Sequence, residues 1–256
     1  MSASHFASVG TQLAWVDTLT ESFCESHTQS LRSKSEVPVP HIPVFHYPTG
    51  LWRPRWRGRI HGVAVVVALP AALTLIVLAE GLLATLASIV YSVSLLALFG
   101  TSASYHLFAR SRRVQHVMQR LDHSMVYVLI AGTYTPVCLV ALPRPIGIPL
   151  LVVVWSIAVL GIVLKSLWRA RKFASTLYIF LGWIVILVLP WAYRHAGFAS
   201  LSLYAAGGII FTTGAVMFLR KFPRLRPEVF GFHEIWHAMT VVAVVCQFVA
   251  TLLIVR

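Results

Sequence analysis

From residue 60 onward the chain is a succession of long apolar runs separated by short polar stretches. The runs lie, within a few residues, at 60–79, 82–105, 123–142, 146–166, 174–192, 200–218 and 233–255. About 20 apolar residues in a helix cross the ~30 Å hydrocarbon core of a bilayer. None of the runs shows the repeated two-residue alternation of a membrane barrel strand. The pattern predicts an all-α, polytopic membrane protein: a seven-transmembrane helix bundle over residues 56–256. Glu80 and Gly81 mark a tight turn between the first two runs, with Glu80 expected in solvent. Pro136, in "GTYTP", and Pro190 fall inside runs, where proline bends a helix and frees a carbonyl.

Residues 1–55 follow a different pattern, polar and serine-rich at first and proline-spaced later ("VPVPHIPVFHYP"). They read as a mobile N-terminal tail and an extended Pro-rich linker. His27, His41 and His46 are expected to be solvated there. No apolar core follows a basic start, which argues against a cleaved signal peptide. "RPRWRGR" (53–59) then sets arginines and a tryptophan just before the first run, as a juxtamembrane anchor. Trp52, Trp56, Trp168 and Trp191 read as interfacial belt residues.

Charge orients the bundle. The chain is 58% hydrophobic, only 11% charged, and carries a formal net charge of +13. Of its lysines and arginines, 18 lie before the first run or in the connections after the second, fourth and sixth, and three lie on the other side. By the positive-inside rule the N-terminus is cytoplasmic and the C-terminus outside. The basic residues are scattered over loops and form no single patch, which excludes nucleic acid as a partner and leaves membrane lipids. The three cysteines, Cys24, Cys138 and Cys246, are far apart and odd in number, so neither a disulfide scaffold nor a cysteine zinc site is expected.

The orientation gathers the polar residues of the apolar runs at one membrane face. The second run ends there with Ser102 and His106, the third begins with Asp122 and His123, and the seventh begins with His233 and His237. Residues four apart share a helix face, so His233 and His237 point the same way, as do Ser102 and His106. Three imidazoles with an open position suit a catalytic zinc ion, and Asp122 is the carboxylate to hold a water or orient a ligand. Haem is the rival group, but it usually needs axial histidines on two helices with room for a macrocycle. "HEIWH" also satisfies the HExxH pattern of zinc proteases, with Glu234 facing the metal as a base or lying beside it. So short a match does not assign proteolysis. His123 is a candidate to support a ligand from behind. His61, His116 and His195, at run ends or in loops, are expected at the interface or in solvent.

"SASYH" (102–106), "LDHSMVYVLIAGTYTP" (121–136) and "GFHEIWHAMT" (231–240) together resemble the hemolysin III family, which belongs with the progestin and adipoQ receptors, the adiponectin receptors among them. The resemblance covers about residues 55–256, with the three motifs in the family's order and spacing. It implies seven helices and a zinc ion near the cytoplasmic side, with His106, His233 and His237 as ligands. Asp122 would hold the zinc-bound water, with Ser102 beside it. The wider superfamily includes alkaline ceramidases, which implies hydrolysis of a lipid amide or ester in a bacterial plasma membrane. The alternatives are a non-enzymatic membrane sensor with a structural zinc, and a pore-forming hemolysin. The sequence argues against the pore, because no run carries the polar stripe expected of a wide channel.

Overall fold

The computed structural model describes residues 45–46, 52–166, 171–223, 225 and 229–256, all within one compact unit, Val44–Arg256. The expectations for His27, His41, Trp168 and most of the tail and Pro-rich linker lie outside the described residues. Two short strands, β1 (Phe45–His46) and β2 (Trp52–Arg53), pair antiparallel, Phe45 opposite Arg53. Everything else of regular structure is helical: α1 (Arg59–Val77), α2 (Leu82–Phe108), α3 (Arg112–Pro136), α4 (Arg144–Ser166), α5 (Arg171–Trp183), α6 (Leu189–Leu219) and α7 (Phe232–Val255).

Six helical stretches among the described residues are long and apolar enough to cross a membrane. The seven-run reading differs from this at one place. Residues Leu177–Leu219 form a 43-residue stretch that counts once. It is not one straight helix. Ile184–Val188 tightens to a 3-10 helix, and Gly197 adopts φ 75, ψ 163, outside the helical region. Glycine tolerates that left-handed φ without a Cβ penalty. The first irregularity is held by one side chain. The hydroxyl of Tyr134 (α3) donates to the carbonyls of Leu181 (3.0 Å) or Gly182 (3.1 Å) and accepts from the Val185 amide (2.8 Å). Backbone groups freed inside a bilayer need such partners. Pro136 ends the regular part of α3, and Val137–Ala141 continues as a π-helical turn.

The outward faces are apolar and the inward faces small. On α1, Val63, Val66, Val67 and Val77 are exposed, whereas Ala64, Ala68 and Ala72 are buried at four-residue spacing. Lipid tails are as apolar as leucine, so helix association relies on close packing of small residues rather than on water exclusion. The α6–α7 contact shows this: a methyl on Gly207 would meet the Ala243 carbonyl oxygen at 2.9 Å, and one on Gly214 would meet Met239 at 3.1 Å. Trp56 and Trp191 are exposed, as belt residues would be.

Contacts fix the relative direction of the helices that matter most. The Glu80 amide, in the α1–α2 turn, donates to the Val255 carbonyl at the end of α7 (2.8 Å). At the opposite end, the start of α1 meets the start of α7, and Gly58 lies against His106 near the end of α2. The end of α2 and the starts of α1 and α7 therefore share one end of the bundle.

Candidate metal centre

That end is polar inside. A cavity of about 740 Å³ opens there, and all seven helices contribute to its wall. Ser102 and His106 come from α2, Asp122 from α3, and His233 and His237 from α7. Three imidazoles, those of His106, His233 and His237, offer nitrogens that all lie within 4.8 Å of one another. His233 and His237 stack at 4.7 Å between ring centroids, as four-residue spacing on a helix dictates. The His106 ring stands across both, at 5.0 and 5.1 Å and at 87° and 69°.

The arrangement fits a small cation. Imidazoles bind zinc at about 2.0–2.1 Å, and small side-chain rotations would bring nitrogens within 4.8 Å to that radius. The Nε2 of buried His237 has no protein partner. An orphaned nitrogen inside a bundle costs energy unless something accepts its lone pair. Rings crossed at these angles around one point leave no face for a macrocycle, so the geometry disfavours haem. Imidazole donors suit zinc, copper, iron and nickel rather than calcium or magnesium.

Asp122 lies outside the three-imidazole cluster but in the same cavity, beside Ser102. The Ser102 hydroxyl is buried, with the Asp122 carboxylate as its neighbour. His123 also lines the cavity. Towards the middle of the bundle a second, smaller pocket of about 80 Å³ is lined by apolar and aromatic side chains, including Leu129, Tyr134, Trp183 and Phe211. Tyr178 belongs to the walls of both spaces.

Glu234 does not take the protease role that "HEIWH" suggests. One carboxylate oxygen accepts from the Gly231 amide at 2.8 Å, closing the first turn of α7, and the other pairs with Arg57. Both oxygens are thus used, and the side chain is not part of the cavity wall. Arg57, read from the sequence as an anchor, is a clasp between the chain before α1 and the start of α7.

His61 is the second correction. Expected at the interface, it is buried, 3% exposed, with its Nδ1 2.9 Å from the Nδ1 of His237. Its ring also packs on Phe99. A signal for this was present: a histidine inside the first turn of an apolar run is costly unless partnered. His116 and His195 are not part of the cavity wall.

Residues 50–248 match the family described as haemolysin-III related. The chain is similar to Hemolysin-3 of Bacillus cereus, 38% identical over 184 residues, covering 69% of this chain and 80% of the relative. It is similar to the Hemolysin-3 homolog of Bacillus subtilis (strain 168), 32% identical over 183 residues, with 70% and 83% covered. A more distant relative is the human monocyte to macrophage differentiation factor, 24% identical over 196 residues, with 74% and 79% covered.

Proposed function

The chain belongs to the haemolysin-III-related family, and from that premise we propose that it is a zinc-dependent hydrolase of a lipid amide or ester. It is a multi-pass integral membrane protein of the bacterial plasma membrane. The observation that carries the proposal is the joint one: three converging imidazoles open on a cavity that also holds the Asp122 carboxylate with the Ser102 hydroxyl beside it.

His106, His233 and His237 hold the metal. Zinc bound there supplies Lewis acidity toward a substrate carbonyl and lowers the pKa of water. Asp122 removes the proton from the attacking water and returns it to the leaving group. The Ser102 hydroxyl donates to the oxyanion that develops on the carbonyl. The apolar pocket, which shares Tyr178 with the wall of the cavity, takes an acyl chain, and this sets the scissile bond at the polar end.

The topology we favour has seven crossings. A straight helix of 43 residues would run roughly 65 Å, about twice the hydrocarbon thickness, so Leu177–Leu219 is read as two crossings that meet near Gly197. With 18 basic residues on one side and three on the other, the N-terminus is cytoplasmic, the C-terminus is outside, and the metal end faces the cytoplasm.

The test is metal analysis and lipid hydrolysis on the purified protein beside His237→Ala and a His233/His237 double variant. Both variants are expected to lose zinc and turnover together. Zinc-dependent turnover that survives in His237→Ala would overturn the assignment. A wild type that holds zinc yet hydrolyses no amide or ester from a membrane lipid extract would favour the second reading, a membrane sensor with a structural metal. The Arg57–Glu234 clasp and the His61–His237 contact, which tie α1 to α7, favour that reading. The relatives' name denotes lysis of cells, but on α7 the charged and imidazole groups are confined to its first two turns.

A further inference from the structure

We propose that His61 is a positioning residue of the metal centre, which fixes the tautomer of His237 and thereby its grip on the metal; this rests on the metal reading above. The two rings meet Nδ1 to Nδ1 at 2.9 Å, across 176 residues of sequence. Two neutral imidazoles share such a contact in one way only: one Nδ1 carries the hydrogen and the other supplies the lone pair. A metal-ligating histidine binds through one nitrogen and donates its N–H from the other. Each ring has its Nδ1 in this contact and a buried Nε2 without a protein partner, but of the two only His237 belongs to the cluster of three imidazoles, so its Nε2 is the one with a cation to face. His237 therefore donates from Nδ1–H, His61 accepts at Nδ1, and the lone pair of His237 Nε2 is directed to the cation. The reverse tautomer would aim an N–H at the ion and abolish ligation by that ring.

The placement of His61 is itself over-determined. It lies in the first turn of α1, its ring packs on Phe99 at 5.0 Å, and Arg57, one turn earlier, is clasped to Glu234 beside His233. Gly58, between them, touches His106: a methyl there would come within 2.5 Å of the His106 Cβ. One short segment thus abuts each of the three ligand positions, through Arg57 at His233, Gly58 at His106 and His61 at His237.

The experiment measures zinc affinity by competition with a chromogenic chelator, on the full chain in detergent, for wild type, His61→Phe, His61→Asn and His61→Gln. Phenylalanine keeps the bulk and removes the acceptor. Asparagine places its amide oxygen near the lost Nδ1, whereas glutamine reaches toward the Nε2 position. His61→Phe is expected to weaken zinc by about 10–100-fold, the range known for partners behind a ligand, with His61→Asn within about threefold of wild type and His61→Gln resembling Phe. Cobalt loading gives a second readout: His61→Phe alters the visible ligand-field bands and His61→Asn restores them. Equal affinity for wild type and His61→Phe overturns the proposal, as does His61→Asn binding no better than His61→Phe. If His61→Phe fails to fold, the Asn–Gln pair decides, and equal affinities overturn it. A wild type that takes up no zinc overturns this and the metal reading together. A wild type that loads, a His237→Ala that does not, and an unaffected His61→Phe overturn this proposal alone.

Discussion

Helix α7 buries polar side chains at both of its ends, and the two ends satisfy them differently. At the far end Thr251 donates to the Gln247 carbonyl at 2.8 Å and meets the Tyr204 hydroxyl at 2.8 Å. Every bond closes within protein, and the result is a rivet between α6 and α7. At the near end His233 and His237 face a cavity, and the His237 Nε2 has no protein partner. His237 is nearly as buried as Thr251, so burial alone does not separate structure from chemistry. What separates them is closure. A polar group that has satisfied itself inside the bundle holds helices together, and one left open and aimed at its neighbours awaits a ligand.

The comparison breaks hardest at Asp122. If the near end is chemical, Asp122→Asn keeps zinc, because Asp122 is not one of the three clustered ligands, and loses turnover by roughly 10²–10⁴-fold, the usual worth of a positioned proton acceptor. The same exchange at Glu234 serves as control. Glu234→Gln keeps metal and retains turnover within about tenfold, since that carboxylate closes a helix turn and pairs with Arg57. Parallel metal and rate measurements on the two variants check this. A reversed result would restore the HExxH reading.

A smaller effect is expected where backbone alone supports the near end. Gly58 sits at φ 81 and is pressed against His106. Alanine there carries a left-handed penalty of about 1–2 kcal/mol and needs His106 to shift. Gly58→Ala should lower stability by about that amount and weaken zinc by about tenfold, one pKa-sized free-energy step of 1.4 kcal/mol. Thermal unfolding of the metal-free and metal-loaded protein separates the two contributions. An equal loss in the two forms, with zinc affinity unchanged, would mean that His106 does not move when Gly58 gains a methyl.

Much of this was legible from the sequence for specific reasons. The apolar runs gave the helices, because span length is set by bilayer thickness. The convergence of His106, His233 and His237 was legible because a charge bias independent of the histidines placed their helix ends together, and because four-residue spacing fixes a face. Three features were not. The distortion around Ile184–Val188 depends on the Tyr134 hydroxyl, a partner about 50 residues away that no local pattern announces. The connection expected at 193–199 is instead helical apart from the kink at Gly197, so α6 runs across it, whereas Pro190 drew attention and sits in the first turn of α6. The role of His61 depends on a single contact with His237, and a lone histidine in a sequence does not say what it touches. Glu234 was ambiguous on helical geometry alone, because a residue adjacent to a ligand lies about 100° round the helix, and only its bonds to Gly231 and Arg57 resolve it.

The finest test is at the closed end. Tyr204→Phe removes one hydroxyl and leaves Thr251 still bonded to the Gln247 carbonyl, so no buried donor is orphaned. Hydrogen bonds between membrane helices contribute on average about 0.6 kcal/mol, and a loss of that size is expected in unfolding experiments in detergent. Zinc affinity should stay within a factor of about two, because the Tyr204–Thr251 bond lies at the end of α7 remote from His237. A Tyr204→Phe protein with normal stability but weakened zinc would show that the rivet sets the pitch or position of α7 as a whole, and that the two ends of the helix act as one device. An unchanged affinity with the small loss of stability keeps them separate, one end holding the bundle and the other presenting its imidazoles.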